Sequence, residues 1–234
     1  MQGKGGVGKS LVSNILAQYK IHSGSNPLCI DTDPINATFH SFKALNVQWL
    51  EIMRDNEISS RDFDKLIDWI GQSKDDVIID NGASSFVPLS HYLLMNQVPN
   101  MLKDMGHELF LHIVVVGGQA LFDTVNGFSQ LVSQFPSETQ FVVWSNPYWG
   151  AIEHDGISFE QMKAYKESKH RVSAMIHIPK LQQETFGRDV SDMLAARQTF
   201  NEAITSSTST IMTKQRLKIV RDELFIQLDK VAIL

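Results

Sequence analysis

Residues Gly3 to Ser10 read Gly-Lys-Gly-Gly-Val-Gly-Lys-Ser. The run matches the phosphate-loop pattern G-x-x-x-x-G-K-[S/T] at every fixed position. Gly3, Gly5, Gly6 and Gly8 let the backbone curl and turn its N–H groups inward, where side chains would crowd phosphate oxygens. Lys9 is spaced to reach the terminal phosphates, and the Ser10 hydroxyl to ligate magnesium. A helix is predicted from Leu11 to Lys20, because Leu11, Ile15 and Leu16 share one face; its N-terminal dipole favours an anion. The candidate nucleotide-binding run is therefore Gly3, Gly5, Gly6, Val7, Gly8, Lys9, Ser10 and Leu11. A phosphate loop leaves the end of a strand, yet only Met1 and Gln2 precede this one. Without that strand a sheet covered on both faces has unmade ladder bonds. The expectation is a sequence shortened at its start.

Outward from the loop, apolar runs alternate with helical patterns. Strands are predicted at Pro27–Asp31, Asp76–Asp80, Leu109–Val116, Phe141–Trp144 and Arg171–Ile178. Helices are predicted at Arg61–Ile70 behind Ser60, around Tyr92–Met95 behind Ser90, at Gln119–Gln134, behind the Ser158/Gln161 capping box as far as Lys169, at Gly187–Arg197, and from Lys214 onward. Such alternation predicts an α/β fold with a mainly parallel sheet flanked by helices. Residues 1–234 are expected to form a single nucleotide-binding domain, with a C-terminal helix over 214–234.

Composition narrows the function. The 234 residues carry 21 Lys and Arg against 26 Asp and Glu, a net charge of −5, which does not describe a basic nucleic-acid coat. The single cysteine, Cys29, excludes an intrachain disulfide, a multi-cysteine zinc site and a single-chain cysteine-ligated iron–sulfur cluster. No apolar run approaches 18 residues, so no transmembrane segment is expected, and a cytoplasmic location follows from the lack of a signal peptide.

Three strands end in polar residues: Asp31, Asp80 and Asn146. In a parallel sheet their side chains gather at the carboxyl edge, where ligands bind. Magnesium takes oxygen ligands, few of them from protein; Ser10, Asp31 and Asp80 are the candidates. Asp31 and Asp33 fall on one side of an extended backbone, so one can reach magnesium waters while the other orients an attacking water. Asn81-Gly82 predicts a tight turn whose N–H groups face a γ-phosphate. Asn146, both donor and acceptor, suits an adenine edge.

These residues resemble the ParA/MinD family of ATPases, whose deviant phosphate loop is Lys-Gly-Gly-Val-Gly-Lys-Ser. The resemblance makes Lys4 the signature lysine, which in such proteins crosses a nucleotide-sandwich dimer to the partner's phosphates. It makes Asp31-Thr32-Asp33-Pro34 the first switch, with Asp33 positioning water, and Asp80 the Walker B or second-switch residue. Asn146 and the loop from Pro179 fall where the family holds adenine. The implied catalytic set is Lys4, Lys9 and Asp33, and the implied cofactors are ATP and Mg²⁺. Three longer stretches, Pro27–Phe39, Ile79–Tyr92 and Phe141–Gly150, resemble TraL-type conjugal transfer proteins of plasmids. The chain departs from partitioning relatives in Ala83-Ser84-Ser85 after Gly82 and in Ile35-Asn36 after Pro34.

The resulting expectation is an ATPase: a Mg²⁺-ATP-dependent homodimeric switch with slow hydrolysis, acting on an unidentified protein partner, one of the transfer machinery by resemblance. Rival readings are an ATP-dependent ligase or kinase for a small acid, with Arg188 as an anion ligand, and a non-hydrolysing nucleotide-binding module. Lys163, Lys166, Lys169 and Arg171 form a basic run open to DNA. Lys214, Arg216, Lys218 and Arg221 begin an amphipathic helix that either packs on the domain or lies on a membrane surface. Phe86-Val87-Pro88 reads as an apolar switch loop, and Tyr148-Trp149 as a partner surface or base-stacking wall.

Overall fold

The apolar runs of the sequence form parallel strands in a computed structural model that describes residues 3–231. Among the described residues the strands are β1 (Leu28–Asp31), β2 (Gln48–Trp49), β3 (Met53–Arg54), β4 (Glu57–Ile58), β5 (Val77–Asp80), β6 (Phe110–Val116), β7 (Gln140–Asn146), β8 (Glu153–His154), β9 (Ile157–Ser158) and β10 (Val172–His177). The helices are α1 (Lys9–His22), α2 (Phe63–Gln72), α3 (Phe86–Met95), α4 (Val98–Asp104), α5 (Leu121–Gln134), α6 (Lys163–Ser168), α7 (Arg188–Ala195), α8 (Phe200–Thr205) and α9 (Ile211–Leu228).

The fold is α/β, but its parallel strands form two sheets instead of one. The first has the order β2-β1-β5 and the second β10-β7-β6, every pair in each parallel. Two antiparallel hairpins, β3-β4 and β8-β9, complete the strands. Each hairpin turns on two residues of positive φ, Asp55-Asn56 and Asp155-Gly156, the backbone that two-residue hairpin loops require.

Alternation along β6 sorts the layers. Leu111, Ile113 and Val115 pack with α2, α3, α4 and α5 on one face; Val114 and Val116 pack with α1, α7, α8 and α9 on the other. Trp144 of β7 is fully buried and gives its indole N–H to His112 at 2.9 Å. Burial drives the His112 pKa down to about 3, so the ring is neutral. A third cluster packs Cys29 with Ala17, Phe39 and Leu45. There burial pushes the thiol up to about 12, which makes Cys29 a core residue and not a nucleophile.

Several boundaries differ from the sequence reading. Helix α3 begins at Phe86, so Phe86-Val87-Pro88 is its first turn and not a loop; Pro is tolerated there because no helical hydrogen bond is lost. Ser90 accordingly lies inside α3 and does not cap it. Ser60 begins a 3₁₀ turn, and α2 starts at Phe63. The Ser158/Gln161 capping box closes a 3₁₀ turn, after which α6 starts at Lys163. Helix α9 starts three residues before Lys214, because Thr210 caps it by accepting the Thr213 N–H. It ends at Leu228; of the expected 214–234 span, residues 232–234 lie outside the described residues, as do Met1 and Gln2 at the start of the expected domain.

Candidate functional site

The glycine loop leads directly into α1, and Gly8 is the N-cap with φ 108°. That left-handed geometry excludes a side chain without strain, and an added Cβ would sit 3.0 Å from Asn146 Nδ2. No side chain caps the helix, so its first-turn N–H groups lack intrahelical partners and point out of the helix end. Helix-dipole charge adds to them, and the arrangement suits an anion.

Asn146, at the carboxyl end of β7, holds this loop in place. Its Nδ2 donates to the Val7 carbonyl at 2.9 Å, and its Oδ1 accepts from the Tyr148 N–H at 3.2 Å. Lys9 Nζ donates to the Lys4 carbonyl at 2.8 Å. Burial lowers the Lys9 pKa, while the charges of Asp80 and Asp33 oppose that shift. Lys4 pairs through Nζ with Asp123 of α5 at 2.8 Å.

Asp80 ends β5 against α1. It accepts from Ser13 Oγ at 3.2 Å and also bonds the Ser10 hydroxyl. Burial raises its pKa to about 6, with those hydrogen bonds and Lys9 pulling the other way. Asp31 is fully buried, and its two carboxylate oxygens accept from the Asp33 and His40 N–H groups, each at 2.9 Å. Burial raises its pKa against those backbone bonds.

Asp33 makes an Asx-type turn, accepting from the Ile35 and Asn36 N–H groups at 2.9 and 3.1 Å. Its carboxylate also lies against Gly82, where an added Cβ would come within 2.5 Å of Asp33 Cγ. The first acidic loop and the turn after β5 thus touch, and only a glycine permits that approach. Trp49 Nε1 donates to the Asp33 carbonyl at 3.3 Å.

The structure therefore brings together the loop, Lys4, Lys9, Ser10, Asp31, Asp33, Asp80 and Asn146 at the carboxyl ends of β1, β5 and β7. Pro179 stands one residue past Ile178, whose N–H is bound to the Ser145 carbonyl on the same edge. Sequence reasoning missed three residues here. Asp123 and Phe122 sit in an unremarkable amphipathic helix, and no local pattern assigns them. Trp49 lies in a two-residue strand too short to show periodicity.

Phe86 is buried, and its ring lies 3.1 Å from where a Cβ on Gly3 would be, so it buttresses the loop and is not a presented surface. Around the loop mouth Trp149, Tyr148 and Phe122 are exposed. Trp149 Nε1 donates to the Gly6 carbonyl at 3.4 Å.

The donors suit magnesium, which needs few protein oxygens beside phosphate and water. Ser10 offers a hydroxyl, with Asp80 bonded to it and Asp31 behind. Among the described residues, no group of three or more His, Cys, Asp or Glu forms a metal cage of its own.

No family model matches the chain. Two Escherichia coli proteins, each named Protein TraL, align with all 234 residues, one 65% and the other 62% identical, each over 97% of its own length. The MinD cell division protein of Aquifex aeolicus superimposes over 96% of this chain and 94% of its own, at a TM-score of 0.49 and 15% identity.

Proposed function

The chain belongs to the TraL family, and from that premise we propose that it is a Mg²⁺-dependent ATPase that works as a dimerising switch in plasmid conjugal transfer. The observation that carries this reading is the glycine loop at the uncapped start of α1, with Lys9 facing Asp33 and Asp80.

In this reading the inward N–H groups of the loop and of the first helical turn cradle the phosphates. Lys9 leaves the Lys4 carbonyl for a phosphate oxygen, an exchange that adds an anionic partner to Asp80 and Asp33 and further offsets its burial. Ser10, Asp80 and Asp31 would hold Mg²⁺, which neutralises phosphate charge when bound. Asp33, whose two backbone bonds fall on one carboxylate oxygen, keeps the other for an attacking water; positioning matters more here than basicity. Slow hydrolysis is the expected consequence of a site that positions but barely activates. Asn146 and the segment from Pro179 border the base. Lys4 lets go of Asp123 and reaches the phosphates of a second copy, so that ATP closes a homodimer and hydrolysis reopens it. The exposed rim of Tyr148, Trp149 and Phe122 meets a protein of the transfer machinery. We place the protein in the cytoplasm; among the described residues no helix is long and apolar enough to cross a membrane. Arg188, the candidate anion ligand of a small-acid ligase or kinase, pairs with Asp192 on its own helix.

The test is a size measurement with ATP, with ADP and without nucleotide, for wild type and Lys4→Ala. A dimer seen with ATP alone and absent in the variant is expected. A monomer under every condition would end the bridging role. Phosphate release by wild type and its loss in Asp33→Ala would separate the switch from a module that only binds nucleotide.

A further inference from the structure

Helix α9 carries apolar residues on two opposite sides. Leu217, Val220, Leu224 and Leu228 enter the core. Met212, Ile219 and Ile226 stand on the other side, 57%, 44% and 53% exposed, and Ile211 beside Met212 is 84% exposed. Met212, Ile219 and Ile226 recur every seven residues, a spacing that drifts only about 20° per step around a straight helix. They form one stripe along the 18 residues of α9, a length of about 27 Å at about 1.5 Å per residue. A helix that is apolar on opposite sides is normally covered on both, and among the described residues no element covers this stripe.

We propose that the stripe is covered by the same stripe of a second copy of this chain, the two helices antiparallel with Ile219 on the two-fold axis. That axis sets Met212 of each copy on the partner's Ile226 and Ile219 on its own equivalent. A two-fold contact makes every such pair twice.

The charges beside the stripe fix the direction. The first half of the helix is basic, with Lys214, Arg216 and Lys218, and the second half acidic, with Asp222, Glu223 and Asp229. Antiparallel pairing lays each basic half along the other copy's acidic half. On one margin Arg216 comes beside the partner's Glu223; on the other, Gln215 comes beside the partner's Asp222. Asp189 holds Arg216 through Nε. Glu223 is exposed and, among the described residues, forms no ion pair. A parallel pair would instead set Asp222 on its own equivalent, a like-charge contact that opposes association. The same acidic residues oppose an anionic lipid surface.

One helix face is smaller than the roughly 1,600 Å² of a standard interface, so the pair is weak and forms at high protein concentration. None of its residues belongs to the glycine loop or to the acidic strand ends. The inference therefore does not depend on what the loop binds, and its test contains no nucleotide.

Sedimentation is run from about 10 to about 500 μM protein, where small interfaces associate, on wild type, Met212→Glu, Ile226→Lys and an equimolar mixture of the two variants. Wild type is expected to pass from monomer to dimer over this range. Each variant alone should need about tenfold more protein or above. The mixture should regain most of the association, because its opposite charges face each other across the antiparallel pair. A wild type that stays monomeric, variants that associate as well as wild type, or a mixture no better than either variant would each overturn the proposal. Both substituted positions are exposed, so melting temperatures close to wild type are expected. Should a variant melt lower, Ile219→Cys takes its place: a thiol oxidant is expected to cross-link two copies through that position, since Cys29 is buried, and no cross-link rejects the pair. Flotation with phosphatidylglycerol vesicles is the last arm. Wild type that floats, with the loss of flotation in Met212→Glu, would give the stripe to a membrane and overturn the pair.

Discussion

Asp80 holds a charge where the fold resists one. Its ordinary pKa of 3.8 is raised by burial to about 6. Between about pH 4 and 6 the folded chain therefore keeps a proton that the unfolded chain has released. The stability linked to that proton is complete below pH 4 and gone above about pH 6. At neutral pH the buried carboxylate costs up to about 3 kcal/mol relative to a neutral side chain. Asp80→Asn should melt at higher temperature than wild type at pH 7.5 and at a similar temperature at pH 4. The upward shift at Asp31 has the same sign and leaves a residual slope in the variant. The same substitution should weaken magnesium-dependent nucleotide uptake, which calorimetry would show. A variant no more stable than wild type at pH 7.5 would show that the charged Asp80 carboxylate is no net cost to the fold. A site that gains stability when its acid is removed is one arranged for a ligand.

At the scale of elements, the C-terminal helix is structural. Leu217, Val220, Leu224, Phe225 and Leu228 of α9 are buried in the cluster shared with β7, β10 and α1, while Met212, Ile219 and Ile226 of the same helix are exposed. Leu224→Ala should cost about 2–5 kcal/mol in denaturant unfolding; a loss below 1 kcal/mol would show that the helix packs loosely. The second basic run is reduced in the same way. Arg171 donates to the carbonyls of Val132, Phe135, Pro136 and Thr139 around the end of α5, leaving only the lysines for DNA. Long elements were legible because apolar runs and three-to-four spacing survive in one dimension. The glycine loop was legible to the residue, since its chemistry is local. Strand β2 was not, for two residues carry no period. The Asp155-Gly156 turn was a readable hairpin signal, passed over because its strands are so short. Phe86 was misread because its place after the second acidic strand suggests a switch loop, whereas the segment is the first turn of α3.

Over the whole molecule, the contacts that matter most join distant residues. The split between β5 and β6 could not be read from either strand, because pairing is non-local and each looks like any covered strand. Asp123, 119 positions from Lys4, was equally invisible. Their ion pair is about half exposed, so Asp123→Ala should change stability by no more than about 1 kcal/mol. If the pair restrains Lys4, the variant should dimerise with ATP at lower protein concentration than wild type, as sedimentation would reveal. An unchanged midpoint would make the pair incidental.

Trp149 gives the loop a built-in optical reporter. Its indole N–H is bound to the Gly6 carbonyl, while the ring is more than half exposed, so its emission is tied to the conformation of the phosphate-binding turn. Trp49, bound to the Asp33 carbonyl, watches the neighbouring acidic loop in the same way. Trp144 is sealed in the core and supplies a constant background. With the fourth tryptophan, Trp69 of α2, replaced by Phe, light alone can therefore follow both loops.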